Sequence, residues 1–169
     1  MIRRDNLQIG EHDLLEVLDQ VSLNVNAFIE LPDAARDRRG GYFTVVSRTE
    51  SPQVITITKI GNPALEESST YFDFSQEKAN RLIASIELLS SFQNRDPDNG
   101  RWGGAIKTSD YVLSFSGLPE LGDEAVMLLT AYSFSWLTEE QIVKIAKISS
   151  NPHVAPLFRK LYSRPIRGL

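Results

Sequence analysis

Three carboxylates stand close together in the second half of the sequence, where they could meet a cation or a polar ligand. These are Glu120, Asp123 and Glu124, and an apolar run follows them. Carboxylate oxygens are the donors that hard cations prefer, so Asp123 and Glu124 are our candidate metal ligands. The same two acids can instead cap the first N–H groups of a helix that starts near Asp123, and this alternative stays open.

Two glycine-containing segments lie just before these acids. Gly103 and Gly104 open one predicted strand, and Ser116 and Gly117 end the next. Gly117 is followed by Leu-Pro, which breaks the strand and forms a corner. We therefore predict that any cofactor pocket lies between the two segments and the acids, with Gly103, Gly104, Ser116, Gly117 and Glu120 as its binding residues.

Several kinds of catalytic or binding site are excluded or disfavoured by the sequence. The chain has no cysteine, which removes thiolate metal sites and cysteine nucleophiles. No Walker pattern and no G-x-G-x-x-G after a strand is present. The Ser114 to Gly117 segment lacks the first glycine of a nucleophile elbow. We assign no catalytic residue.

The two histidines, His12 and His153, lie near opposite ends of the sequence. We interpret both as surface residues, and the alternative is that one of them ligates a haem iron or another metal. An enzyme that uses Glu120, Asp123 or His153 for acid–base chemistry is a rival hypothesis. No paired partner for such chemistry is visible in the sequence.

Composition predicts one domain with little affinity for nucleic acid. The 169 residues include 18 basic and 22 acidic side chains, giving a net charge of −4. An acidic chain argues against a general nucleic-acid binder. The start MIRRDNLQIGEHD lacks the apolar core of a secretory signal, and no run approaches the roughly 20 apolar residues that span a bilayer. We predict a cytoplasmic protein whose partners include neither nucleic acid nor membrane.

Hydrophobic periodicity and turn residues position these groups on an α+β framework. Residues 42–48 and 53–60 form a predicted hairpin, and residues 103–106 and 111–115 a second pair of strands around a reversal at 107–110. Helices are predicted over residues 13–29, 75–92, 139–149 and 154–162, and from about residue 123 onward. Short links within each strand group favour an antiparallel sheet with helices packed on it.

The stretch from Trp102 to Tyr132 resembles the C-terminal half of the HbpS/GlcG-like haem-binding family, which includes the accessory domain of PduO-type cobalamin proteins. The family's Gly-Gly-x-x-Ile strand, its reversal, its strand ending in Ser-Gly and its Asp-Glu helix start occur here in that order. They correspond to Gly103 to Ile106, residues 107–110, residues 111–117 and Asp123-Glu124.

This resemblance implies a five-stranded antiparallel sheet with helices on both faces, a profilin-like α/β/α sandwich formed by one domain over residues 1–169. It also implies a ligand-binding, accessory or sensory role, self-association, and a small-molecule ligand that is haem or iron in some members. Residues 138–169 extend past the family core as a helical extension. The rival interpretation is a homo-oligomeric scaffold with no ligand pocket.

Overall fold

The computed structural model describes Ile9 and residues 11–169, with only the backbone described for residues 11 and 12. The His12 side chain and residues 1–8, on which the localisation prediction partly depends, lie outside the described part. Within that part, no helix has the length and apolar character needed to cross a membrane.

The helices are α1 Glu11–Ile29, α2 Ser68–Ile83, α3 Glu120–Ser133, α4 Glu139–Ser149 and α5 Val154–Tyr162, and the strands are β1 Gly40–Ser47, β2 Val54–Gly61, β3 Ala105–Lys107 and β4 Tyr111–Ser116.

The strands form one antiparallel sheet in the order β2-β1-β4-β3. Both predicted strand pairs are confirmed, β1 with β2 and β3 with β4. The prediction of five strands is wrong, because the described residues form four. At the free side of β3 the described residues contribute a single bridge, between Ser90 and Ile106.

The bridge at Ser90 does not extend into a fifth strand, because the chain turns away from β3 immediately after it. The Ser90 hydroxyl accepts the N–H of Phe92, and the Gln93 side chain accepts the N–H of Ser90. This reciprocal capping box starts a short 3₁₀ helix, Ser91–Asn94. Backbone committed to a helical turn cannot continue a ladder with β3, so the pairing ends after one residue.

Helices cover both faces of the sheet. Helix α2 packs on β1, β4 and β3, whereas α1 and α3 pack against each other and on the opposite face. Successive side chains of a strand point to opposite faces of the sheet, so each strand contributes to the hydrophobic cores on both faces. From β4, Val112 joins Leu82 and Ala79 under α2, while Leu113 and Phe115 join the larger core with α1 and α3.

The prediction for the second helix was wrong at both ends. We expected residues 75–92, but α2 runs from Ser68 to Ile83, and Ile86 is 93% exposed in the following loop. The Arg81 side chain explains the early end. It donates to the carbonyl groups of Ser91, Asn94 and Trp102, which holds the loop folded back against the last turn of α2.

Two other helix starts also differ from expectation. Helix α1 already includes Glu11, so Asp13, where the predicted helix began, lies inside its first turn. Helix α3 begins at Glu120, three residues before the expected start, with Pro119 as its N-cap. Asp123 therefore lies within the first turn of α3 and Glu124 follows it, so neither residue precedes the helix.

The C-terminal helices have the predicted bounds, and they are part of the main core. Thr138 and Gln141 form a capping box at the start of α4. Helices α4 and α5 both pack on α3, and α5 also contacts α1. The side chains that these two helices add to the larger core are Ile142, Val143, Ile145, Ala146, Val154, Leu157 and Phe158.

Candidate functional site

A cleft of about 650 Å³ opens at one end of the sheet, between α2 and the start of α3. Ligand sites in proteins commonly have volumes of roughly 300–1,000 Å³. The cleft is lined from α2, from the corner between β4 and α3, from the loop after α1, and from the start of α5. Its lining residues are Arg36, Arg38, Glu67, Thr70, Tyr71, Phe74, Trp102, Ser116, Gly117, Leu118, Pro119, Glu120, Leu121, Asp123 and His153.

The predicted site residues meet only in part at this cleft. Ser116, Gly117, Glu120 and Asp123 line it. Gly103 and Gly104 lie behind the lining residues, where they contact Glu120 and Asp123 respectively. Glu124, the remaining predicted residue, is directed elsewhere.

Asp123 is held at the base of the cleft by a buried lysine. Lys78 Nζ lies 2.9 Å from Asp123 Oδ2, and both side chains are 2% exposed. The same ammonium group donates to the Phe115 carbonyl, and Asp123 Oδ1 accepts the N–H of Leu118. Burial raises the pKa of Asp123 to about 7, although the charge and hydrogen bond of Lys78 act in the opposite direction.

Gly104 provides the space in which this ion pair forms. Its φ is +117°, and a Cβ placed there would lie 2.6 Å from Asp123 Cβ and 2.9 Å from Lys78 Nζ. No larger residue could occupy the position without moving the pair. This glycine therefore has a steric role behind the cleft, in addition to a backbone conformation that favours glycine.

Glu120 fixes the other side of the cleft mouth. Its Oε2 accepts the N–H of Gly103 at 2.9 Å, and its Oε1 accepts from Arg95 Nε at 2.6 Å. The Arg95 guanidinium in turn lies 5.9 Å from the centre of the Trp102 ring. Glu120 is thus engaged by a cation and a backbone donor, and it positions the loop that carries Trp102.

The α2 wall of the cleft carries a tyrosine that is hydrogen-bonded on both sides. The Tyr71 hydroxyl donates to Glu67 Oε2 and accepts from Arg38 Nη1. The Arg38 guanidinium also lies 5.3 Å from the centre of the Tyr71 ring. Burial, followed by the hydrogen bond to Glu67, raises the pKa of Tyr71 to about 12, so this hydroxyl is protonated at neutral pH.

The corner at Gly117 is formed by a close approach of two backbones. Gly117 has a φ of +146°, and a Cβ there would collide with the backbone of Gly40 and Gly41 at the start of β1. The glycine therefore lets β4 end directly against β1. Ser116, immediately before it, is buried and lines the cleft.

Glu124 is buried on the other side of α3 and is satisfied by hydroxyl and amide groups. It accepts hydrogen bonds from Ser90 Oγ, Ser149 Oγ and Asn151 Nδ2. Burial raises its pKa, and these three hydrogen bonds oppose that effect. Asp123 and Glu124 thus have separate protein partners, and the described residues contain no group of three or more His, Asp or Glu side chains that could hold a metal.

His153 joins the cleft from the start of α5. Its ring meets Phe28 edge-on, with centroids 5.2 Å apart, and the residue is half-buried. Burial lowers the pKa of His153, so the imidazole is mainly neutral at pH 7. A neutral imidazole at a cleft wall can accept a proton, donate a hydrogen bond or ligate a metal.

Sequence reasoning missed several residues that define the site, including Lys78, Tyr71 and Arg38. Lys78 has a detectable signal, because it falls on the same helical face as Tyr71, Ser75 and Leu82, all of which are buried. Arg38 belongs to the charged loop after α1, which was not part of the predicted site. Nothing in its local pattern indicates that it reaches α2.

The arrangement is better suited to binding than to acid–base catalysis. Asp123 is paired with Lys78, Glu120 with Arg95, and Glu67 accepts the Tyr71 hydroxyl. Aromatic rings and apolar side chains occupy much of the remaining wall.

Comparison of this chain with protein-family models, with curated proteins and with solved structures gives no match in any of the three.

Proposed function

We propose that this chain is a non-catalytic module of the HbpS/GlcG type that binds a small molecule in the cleft between α2 and α3. The observation that carries the proposal is the cleft itself, where Ser116, Gly117, Glu120 and Asp123 meet aromatic residues. Four antiparallel strands with helices on both faces are compatible with a profilin-like α/β/α sandwich.

The wall of the cleft favours a ligand with a flat apolar body. Phe74, Trp102, Leu118, Pro119 and Leu121 supply aromatic and aliphatic surface on several sides. Such surfaces contact planar ligands over a large area, and a few polar groups then fix their orientation.

Haem is the first molecule to test, because the cleft offers an imidazole together with this apolar surface. His153 would be the residue that holds the iron, and its lowered pKa keeps the imidazole in the neutral form that ligates metals. Bound haem would supply redox or gas-binding chemistry at iron. Arg36 and Arg38, which line the same cleft, could neutralise its propionates.

Titration of hemin into the purified protein, followed by the Soret absorbance, tests this ligand. Saturable binding with a shifted Soret band is expected for the unaltered chain and for His12→Ala, the matched control at the other histidine. His153→Phe should change the band position, because it removes the ligating nitrogen and keeps an aromatic ring against Phe28. An unshifted Soret band at excess hemin would exclude haem as the ligand.

The rival function is a self-associating scaffold, and one feature of the fold favours it. Strand β2 is an edge of the sheet, with Val54 exposed on it and with Phe72 of α2 exposed against the neighbouring strand. Unpaired strand edges are sites of chain-to-chain pairing. The molar mass in solution, compared with that of a Lys59→Pro variant, tests this alternative, because the register of β2 with β1 directs the Lys59 N–H toward the free edge. A monomeric mass for the unaltered chain would exclude it.

A further inference from the structure

Ser116 presents a hydroxyl group to the cleft that no described residue satisfies. The residue is 3% exposed and lines the cleft, yet its Oγ has no hydrogen-bond partner among the residues that the structure describes. The hydroxyl is not among the buried unpaired atoms of the described residues, so it is accessible from the cleft. Its O–H is therefore available to donate a hydrogen bond to a ligand atom in the cleft.

The start of α3 adds further donors at the same wall. Gly122 and Asp123 donate their N–H groups to the Pro119 carbonyl, whereas those of Glu120 and Leu121 have no acceptor within the described part of the chain. Glu120 and Leu121 both line the cleft, and α3 is 14 residues long. The positive end of the helix dipole and its free N–H groups favour an anion at this position.

Two arginines on the opposite side of the cleft complete a positive environment. Arg38 uses Nη1 for the Tyr71 hydroxyl, while its other guanidinium nitrogens have no partner among the described residues. Arg36 lines the cleft, and within the described chain its guanidinium has no acid partner.

The acids of the cleft do not cancel this positive charge. Lys78 neutralises Asp123, and Arg95 neutralises Glu120. Glu67 is the remaining acid in the wall, and its carboxylate accepts the Tyr71 hydroxyl. The two arginines therefore leave the cleft with an excess of positive charge, although the chain as a whole carries a charge of −4.

We infer that Ser116, Arg38 and the first N–H groups of α3 form an oxyanion subsite, which binds a carboxylate or sulfonate group carried by a flat apolar ligand. This inference rests on the proposed function, because it names the chemical class of the ligand in the same cleft. The ring system lies against Phe74 and Trp102, and the anionic group lies at the corner beside Gly117.

A matched pair of fluorescent probes separates the subsite from the cleft. Anilinonaphthalene sulfonate and phenylnaphthylamine share the same rings, but only the first carries an anionic group. Fluorescence titration of the native protein should give saturable binding of both probes. The sulfonate should bind at least about tenfold more tightly, because charge-assisted hydrogen bonds are the stronger kind.

Two variants with matched controls locate the subsite. Arg38→Gln should weaken sulfonate binding about tenfold and Ser116→Ala about threefold, with little change for the neutral probe. Ser114→Ala is the control for the hydroxyl, since Ser114 is buried two residues earlier on the same strand and outside the cleft lining. Arg159→Gln is the control for the charge, because Arg159 is exposed on α5.

Each outcome decides between the two levels of the proposal. Saturable binding of both probes with equal affinity would overturn the oxyanion subsite and leave the cleft as a ligand site. Sulfonate preference that Ser116→Ala and Arg38→Gln leave unchanged would also overturn it, since the anionic group would then bind elsewhere. Failure of both probes to bind saturably would overturn the proposed function together with the subsite.

Discussion

Lys78 and Asp123 form a buried ion pair that joins helices from opposite faces of the sheet. Lys78 belongs to α2 on one face, and Asp123 belongs to α3 on the other, with 2.9 Å between Nζ and Oδ2. The pair passes the end of the sheet at Gly104, the residue without a side chain. The two helical layers and the wall of the cleft are therefore positioned by one interaction.

Replacing Lys78 with methionine should be strongly destabilising, because it leaves the Asp123 carboxylate buried without its cation. Breaking a buried pair from one side typically costs about 3–5 kcal/mol. Urea denaturation at neutral pH measures the effect, and exposed Lys144→Met on α4 is the control, with an expected change within about 0.5 kcal/mol. The double variant Lys78→Met with Asp123→Leu should recover part of the loss. A single-variant cost below about 1 kcal/mol would contradict a structural role for the pair.

Gly104→Ala should destabilise the fold more than Gly100→Ala, although both glycines have positive φ. The backbone cost, about 1–2 kcal/mol, is common to the two positions. At Gly104 the new methyl group also collides with Asp123 and Lys78, whereas at Gly100 its nearest neighbour is Phe74 Cε1 at 3.9 Å. Melting temperatures and urea midpoints of the two variants test the difference. Equal destabilisation would show that the space beside the ion pair is not needed.

Glu124→Gln should change the pH dependence of stability. The folded-state pKa of Glu124 is raised above its ordinary value of 4.5, so the contribution of this group is complete below that pH and is lost as pH rises toward the folded-state pKa. Each unit by which the fold raises the pKa corresponds to about 1.4 kcal/mol. The free energy of unfolding of the variant, relative to the unaltered chain, should therefore increase as pH rises above the ordinary glutamate pKa of 4.5.

The glutamine of this variant can keep the partners of Glu124, since its oxygen accepts from Ser149 and Asn151 and its amide can donate to Ser90. Asp123, with its pKa raised to about 7, titrates in the same direction and remains in both proteins. The difference between the two denaturation profiles isolates Glu124. A difference that stays constant with pH would contradict the raised pKa.

Ser114→Ala should stabilise the protein by about 1 kcal/mol, because the Ser114 hydroxyl is buried without a hydrogen-bond partner among the described residues. Ser75→Ala is the matched comparison. Ser75 Oγ is hydrogen-bonded to Thr44 Oγ and to the Phe72 carbonyl, so its removal leaves Thr44 without that partner and should lower stability by about 1 kcal/mol. Chemical denaturation of both variants measures these opposite signs. A loss of stability in Ser114→Ala would indicate that its hydroxyl is bound to a water molecule or a ligand.

Local signals predicted those parts of the fold that local interactions determine. The start of α4 depends on Thr138 and Gln141, which are three residues apart and cap the helix by themselves. The hairpin of β1 and β2 likewise follows from short strands and a short link. The end of α2 depends on Arg81 reaching carbonyl groups 10 to 21 residues away, and no window of the sequence contains that information.

The sequence predicted where the candidate site lies, but it did not predict all of the residues that form it. The corner at Gly117 and the acids of α3 were identified because glycines and carboxylates have recognisable turn and helix chemistry. The partner of Asp123 was not, because a lysine is expected at the surface and Lys78 is buried. Lys78 is buried where it pairs with Asp123, which lies 45 residues later in the sequence.

Glu124 can be fully hydrogen-bonded only after residues later in the sequence have been synthesised. Ser149 and Asn151, which satisfy this carboxylate, are made 25 and 27 residues after it, beyond the end of α4. A nascent chain that has finished the sheet and α3 still has this acid without two of its three donors, and the apolar side of α3 still lacks α4 and α5. That side of α3 therefore stays exposed on the nascent chain until α4 and α5 have been synthesised.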